Sequence, residues 1–559
     1  MCAKTFLLTN QASYNIRVMN GIDATAGEFV YFGLEKLFCE YFLPDFHSSS
    51  NIYLQFNIDG MTLFNSSSKQ FWPILCKIIC KSNIYSPFCV AVYSGNSKPA
   101  NNYDFFQEFI QEINMLMSNE LIINGKRFKL KIHSFICDIP ARKFLKSIVG
   151  HGGYGACERC EIYGISVSGK KNSKKVYPRD KYCEKRTNVS FRNQCQSCHH
   201  IGQSPLLNIE PPIDMIKSFP LDYMHLACLG IMKKLYLDIW YFGHTDKKLK
   251  PSYRCILDKR INYIKQWTPC EFQRKPRKPV AQLKASELSK FILLYIGPIL
   301  FKNILDDQIY KHYCLLHAAF RIMCSSRFLH LFINKARKYL DSFFDIMPLL
   351  YGNTSLSINV HNLIHIVDDV EYFNCTLDNI SAFPFESMLG KIRKMIRTGN
   401  HPLSQVCRRL YEINSISKSY PTSTQISILK QKYNCNNKPI ILKVNYKGLT
   451  LSIKKPNNIV LLKNDLILQI TDILCNLIQN DSYEIKGYVW QKMRCTYTYP
   501  LASNNLQEWK LAPKISSRII SCNIHDIYSK IIVIPKVYIK NNQEVEEFYA
   551  SALLHAEED

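Results

Sequence analysis

"CDIPARKFLKSIVGHGGYGACERC", Cys137–Cys160, is the stretch on which the reading of the fold turns. Asp138 closes an apolar run, a glycine-rich turn follows, and Cys157 and Cys160 complete a Cys-x-x-Cys pair. The residues leading into it, "KRFKLKIHSFICD", read as a β-strand that ends at Asp138. An acid at a strand end, a flexible turn and a thiol pair in one short stretch suggest a site built at the edge of an α/β layer.

Upstream, Leu54, Phe56 and Ile58 alternate with polar neighbours in "NIYLQFNIDG", predicting a strand that ends near Asp59. "SPFCVAVYSG" predicts another strand. Phe105, Phe109, Ile113 and Leu116 recur at helical spacing in "NNYDFFQEFIQEINMLMSN". Strands, a helix and a further strand point to an α/β layer.

Downstream, residues 165–205 are polar and basic and read as loop. "FPLDYMHLACLGIMKKLYLDIW" predicts an amphipathic helix, with Leu221, Met224, His225, Cys228, Met232, Leu235 and Ile239 on one stripe. Asp222 and His225 share its first turn and read as a core histidine tied to a local carboxylate. Further helical segments run to about residue 350, interrupted by the proline-broken basic loop "EFQRKPRKPV". "AFPFESMLGKIRKMIRTG" also reads as helix, and short β-rich runs follow from about residue 430.

Composition narrows the class. The chain has 559 residues, 47% hydrophobic and 21% charged, and reads as globular. A net charge of +26 favours a polyanionic partner. The N-terminal stretch has no secretory apolar core and no run of about 18 apolar residues occurs, so no membrane span is expected. The 22 cysteines then read as reduced thiols with a minority of metal ligands, which suits the nucleus or cytosol.

Asp59 and Asp138 would meet if their strands are neighbours, and Glu386 is the best third acid. Carboxylates are hard oxygen ligands for magnesium, and two such ions can drive an in-line displacement at phosphorus. Helical spacing puts Glu386, Arg393 and Arg397 on one face, cations that suit a phosphate backbone. Cys157 and Cys160, with His361 and His365 of "HNLIH" at i and i+4, would complete a tetrahedral zinc site. By pattern alone these acids also fit exposed positions, and the thiols and histidines also fit a core. "CQSCHH", with Cys195, Cys198, His199 and His200, is a rival metal site.

Taken in order, "NIDGMTLFNSSSKQFWPIL", the Cys137–Cys160 stretch, "FPLDYMHLACLGIMKKL", "KASELSKFILLYIGP", "HNLIHIVDDVEYFNCTLDNISAFPFESMLGKIRK" and the β-rich tail resemble CACTA (En/Spm-like) transposases, of the superfamily that includes Mirage and Chapaev elements. The resemblance covers nearly the whole chain from about residue 50. It implies an α/β, RNase H-like catalytic core interrupted by a mostly helical insertion and followed by a small β-rich C-terminal domain. The expected limits are a lead-in over 1–50, core over 51–145, a zinc-stapled helical insertion over 146–370, the closing core part with Glu386 over 371–430, and the β-rich domain over 431–559. It implies a DDE triad of Asp59, Asp138 and Glu386 holding Mg2+ or Mn2+. Cys157, Cys160, His361 and His365 would hold Zn2+, and Lys391, Arg393, Lys394 and Arg397 would contact DNA.

The implied activity is cleavage of double-stranded DNA at transposon ends and joining of 3′ ends to target DNA, in the nucleus, with no membrane partner and a homodimer left open. The alternative is a host-adopted or decayed DNA-binding or scaffold protein on the same fold. Only about 50 residues precede Asp59, with no zinc-finger spacing, where such transposases usually carry a DNA-binding region. Truncation, end binding through the basic core, and host adoption all remain open readings of that departure.

Overall fold

The computed structural model describes residues 14–80, 83–168, 173–180, 182–272, 274–278, 283–415, 426–433, 439–475, 483–540 and 543–554. The chain is mixed α/β and divides into two compact units. The first comprises Met1–Asp222, Leu356–Phe373 and Asn379–Tyr420; the second comprises Tyr223–Ser355, Asn374–Asp378 and Pro421–Asp559. Among the described residues, no helix is long and apolar enough to cross a membrane.

The first unit is built on β1 (Ile16–Asn20), β2 (Ala26–Tyr31), α1 (Leu34–Tyr41), β3 (Asn51–Ile58), β4 (Met61–Thr62), β5 (Gln70–Ile78), β6 (Phe88–Gly95), α2 (Asn102–Ser118), β7 (Leu121–Ile123), β8 (Lys126–Phe135) and α3 (Ile139–Lys146). The strands form one sheet in the order β1-β2-β6-β5-β3-β8-β7, with β4 on β5. Only β3 and β8 pair in parallel, from Asn51 opposite Lys129 to Phe56 opposite Phe135. β1 and β2 lie in this sheet, so the core starts near Ile16 and residues 1–50 are more than a lead-in.

β3 is central and buried on both faces. Leu54, Phe56 and Ile58 are fully buried, but so are the polar residues between them. Gln55 donates to Asn379 O (2.7 Å) and Asn57 to Ile136 O (2.7 Å), which meets the need of buried amides for partners. α2 buries Phe105, Phe109, Ile113 and Leu116 as their spacing predicts, and Asn101 caps it by accepting from Tyr103 N. Past α3, residues 146–222 carry a two-stranded hairpin (Ile165–Ser168 with Ser173–Val176) and only short helical turns. They belong to the first unit, as do His361 and His365, so of the 146–370 stretch expected as one helical insertion only 223–355 falls in the second unit.

The second unit opens with the Met224–Tyr241 helix. Its end is wound with i→i+5 hydrogen bonding, Phe242 N donating to Leu237 O at 2.8 Å. Leu226, Ala227, Ile231, Tyr236, Leu237 and Trp240 are buried beside the expected Met224, Cys228, Met232 and Leu235. Of the predicted stripe, His225 and Ile239 are only half-buried, on a side with Lys233, Lys234 and the exposed Asp238, because i→i+5 winding lines residues up differently from a 3.6-residue helix.

The β-rich tail begins at Ile426 and forms a large antiparallel sheet. It falls in the second unit together with residues 223–355. It shares a buried polar seam with the helices of its unit. His317 Nε2 lies 3.0 Å from Glu508 Oε2, Tyr497 donates to the same oxygen (2.7 Å), and Arg321 donates to Leu506 O (2.7 Å) and Ser551 Oγ (2.9 Å). Lys530 pairs with Glu271 at 2.7 Å. Buried charges are tolerated only with such partners, so this seam ties the helices to the sheet.

Candidate metal centre

Parallel pairing of β3 and β8 carries both chain directions to the same sheet edge. Ile136 N donates to Phe56 O (2.8 Å), extending the ladder past the named strands. Asp59 follows the end of β3 and Asp138 lies three residues past the end of β8. The two acids therefore occupy the C-terminal ends of adjacent parallel strands. Asp138 also starts α3: its Oδ1 accepts from Ala141 N at 2.7 Å. An aspartate at this N-cap satisfies a helix donor that has no intrahelical partner.

Glu386 sits in the first turn of the Phe383–Met395 helix, with Pro384 favouring that start. Ala382 N, just ahead of the helix, donates to the buried carboxylate of Asp222 (2.9 Å). Asp222 thus fixes where the Glu386 helix begins. Its place two residues before an apolar helix gave no sign of this, because the partner lies 160 residues away. Asp59 and Glu386 bring carboxylate oxygens within 4.8 Å of each other. Among the described residues, Asp138 joins no cluster of three or more ligand groups within that limit. One octahedral divalent ion, with bonds of about 2.0–2.1 Å, needs its carboxylate oxygens no more than about 4 Å apart, inside that limit.

Lys391, Arg393 and Lys394 are exposed along the same helix, and Arg393 Nε donates to Leu63 O (3.2 Å). Arg397 departs from the expectation. The helix stops at Met395, Ile396 is extended (φ −87°, ψ 121°), and Arg397 is off the Glu386 face. Its backbone N–H is taken up by Gln405 Oε1 at 2.9 Å.

Cys157, Cys160, His361 and His365 converge, all four buried, with their ligand atoms within 4.8 Å of one another. Cys157 and Cys160 Sγ are 3.5 Å apart, Cys160 Sγ is 3.2 Å from His361 Nε2, and the two His Nε2 atoms are 3.2 Å apart. Tetrahedral zinc, with Zn–S of about 2.3 Å and Zn–N of about 2.0–2.1 Å, needs edges of roughly 3.8 Å between sulfurs and 3.3 Å between nitrogens. The residues fit the ion. Burial alone would raise the Cys157 thiol, but hydrogen bonds with Cys160, His361 and His365 hold it well below the usual thiol range. Hydrogen bonding to Cys157, then burial, pushes Cys160 up.

The residues between the thiols are as buried as the thiols. Glu158 pairs with Arg142 (2.9 Å) and Lys146 (2.7 Å) of α3, while Arg159 pairs with Asp369 (2.8 Å). Arg159 also donates to Ile216 O (2.5 Å) and Phe219 O (2.7 Å). Burial pushes the Lys146 ammonium down to about 8 even beside Glu158. "CERC" is thus a double clamp: its thiols face the histidines and its charges face α3 and the segment after His365. Arg142 and Lys146 at i and i+4 were the available signal, but such a pair is ordinary on exposed helices.

The rival "CQSCHH" does not assemble. His199 Nδ1 lies 2.6 Å from Gly155 O, and the His199 and His200 rings stand at 89° with centroids 5.0 Å apart. Cys195 is exposed, and among the described residues these four form no ligand cluster.

Residues 423–550, within the sheet of the second unit, match DUF8592, a domain of unknown function. No curated protein matches the chain.

Proposed function

We propose that this chain is a CACTA-type DDE transposase, or a protein descended from one, that cuts DNA at transposon ends and joins the freed 3′ hydroxyl to target DNA. One observation carries the reading: Asp59, at the end of a strand whose parallel neighbour leads to Asp138, shares a carboxylate site with Glu386 from a helix more than 300 residues later. The order β6-β5-β3-β8, with β8 added parallel to β3, supports an RNase H-like core interrupted by residues 223–355.

Asp59 and Glu386 would hold magnesium or manganese, with Asp138 completing the set through the oxygen that does not cap α3. Bound there, such ions activate an attacking oxygen and stabilise the leaving one. Water attacks the scissile phosphorus in the first step and the 3′ oxygen leaves; in the second, that 3′ hydroxyl attacks a target phosphodiester, whose own 3′ oxygen leaves as the new P–O bond forms. Lys391, Arg393 and Lys394 neutralise the phosphates beside the bond. Zinc on Cys157, Cys160, His361 and His365 would pin the 356–373 segment to the turn after α3. On this reading the protein acts in the nucleus, on double-stranded DNA.

A second reading, a non-catalytic DNA-binding scaffold on the same fold, is favoured by Asp138, whose carboxylate caps α3 and stays outside the Asp59–Glu386 cluster. Cleavage and strand-transfer assays on the flanking terminal repeats, with magnesium or manganese, separate the two. Product that vanishes in Asp59→Asn supports the transposase. Duplex binding without product in the wild type supports the scaffold.

A further inference from the structure

Between Lys250 and Lys278 the sequence holds nine Lys or Arg and two acids. The fold of the second unit sorts these charges. Arg260 is buried and donates to Leu300 O (2.7 Å) and Lys302 O (3.0 Å); Glu271 is taken up by Lys530. Eight cations remain at the surface, with Asp258 the single acid among them.

They face a cleft. The Pro251–Ile264 helix carries Arg254 and Lys259 on one side of it. The loop "RKPRK", Arg274–Lys278, forms the other. Phe272 anchors that loop by packing on Phe291 (4.6 Å) and Tyr295 (5.4 Å), and Pro276 is buried. The inward proline turns Arg274, Lys275, Arg277 and Lys278 outward. Lys278 reaches Asp258 across the cleft (4.0 Å), and Tyr241 donates to that carboxylate (2.9 Å), so the acid is spent on holding the walls together. The space enclosed is about 340 Å³, with Asn262 a neutral donor on its wall.

We infer that this cleft is a groove for the phosphate backbone of duplex nucleic acid, separate from the Glu386 helix. A single small anion is met by donors that converge. Here Arg254 and Lys259 stand on the cleft wall and exposed Lys250 and Lys265 bracket their helix, a spread of about 22 Å at 1.5 Å per residue. A row of that length matches a polymer with one charge per about 1.7 Å of duplex axis. Contacts from its cations to phosphates carry no sequence information, so binding is expected to be largely independent of sequence. The inference shares with the proposed function only the expectation that the chain binds DNA.

Lys259, Arg274 and Lys275 are exposed and form no ion pair among the described residues. The test is the full chain carrying Lys259→Gln, Arg274→Gln and Lys275→Gln together, titrated against a fluorescent duplex of arbitrary sequence by anisotropy across a potassium chloride series. Each lost phosphate contact lowers the slope of log K against log salt by about 0.9, so the slope should fall by about 2–3. Lys259→Arg with Lys275→Arg should keep it, and circular dichroism should match the wild type. An unchanged slope in the Gln variant, with the wild type still binding duplex, overturns the groove and leaves the transposase reading standing. Loss of binding to phosphatidylserine vesicles with duplex binding unchanged also overturns it, in favour of a membrane surface. A reduced slope in a chain that yields no cleavage or strand transfer supports the groove and removes the transposase.

Discussion

Arg159 Nη2 stands 2.8 Å from Asp369 Oδ1, and both side chains are about 94% buried. The pair joins the turn holding Cys157 and Cys160 to the segment four residues beyond His365, so the two halves of the metal clamp are tied by charge as well as by ligand geometry. Breaking one side of such a pair strands the other charge in a dry site, at a cost of about 3–5 kcal/mol. Asp369→Ala should therefore lower unfolding stability by about that much in urea titration. Replacing both residues by apolar ones should cost less than either single change.

Metal content should follow the geometry. Purified chain is expected to carry one zinc, and Cys157→Ser with His365→Ala should abolish it and lower the melting temperature. Cys195→Ser with Cys198→Ser should leave it unchanged, because "CQSCHH" is not assembled. Elemental analysis of the three proteins checks this; zinc surviving in the first double variant would send the assignment elsewhere.

How much of this was legible in the chain depends on the range of the interactions. Asp59, Asp138 and the helical face of α2 were readable because strand ends and 3.6-residue periodicity are local. The zinc set was readable as two local pairs, and tertiary structure brings them together. The charges between the thiols were not, since Glu158 and Arg159 look like surface residues until α3 and Asp369 are placed beside them. Arg397 was misplaced because nothing in "KMIRTG" marks the helix end at Met395. The β-rich tail looked independent because its anchor residues, Glu508 and Ser551, find His317 and Arg321 about 190 and 230 residues away.

Glu508 gives the acid limit of the second unit. Burial would raise its pKa, but Arg321, His317 and Tyr497 hold it below the ordinary value of 4.5. A carboxyl depressed on folding contributes stability that is complete above its unfolded pKa and lost as pH falls through its folded one. Stability should thus decline below about pH 4.5 as the seam loses its charge. Glu508→Gln should cost about 3–5 kcal/mol at pH 7 by stranding Arg321, and should flatten the decline below about pH 4.5. Denaturant titrations at a series of pH values read both effects.

The catalytic reading makes its demand on the two acids already together. Asp59 and Glu386 present oxygens within 4.8 Å, from a strand end and a helix first turn that share no local sequence. If they hold the ions, Asp59→Asn and Glu386→Gln should each lower cleavage of terminal-repeat DNA at least as far as loss of an outer-shell partner does, about 10–100-fold. Neither should alter zinc content, and neither should weaken duplex binding, since removing a negative charge beside a phosphate removes repulsion. Asp138→Asn tests the third position differently: an asparagine still caps α3, so stability should hold while activity falls. Full cleavage by Asp138→Asn would show that its carboxylate serves only the helix, and would reduce the proposed triad to the Asp59–Glu386 pair.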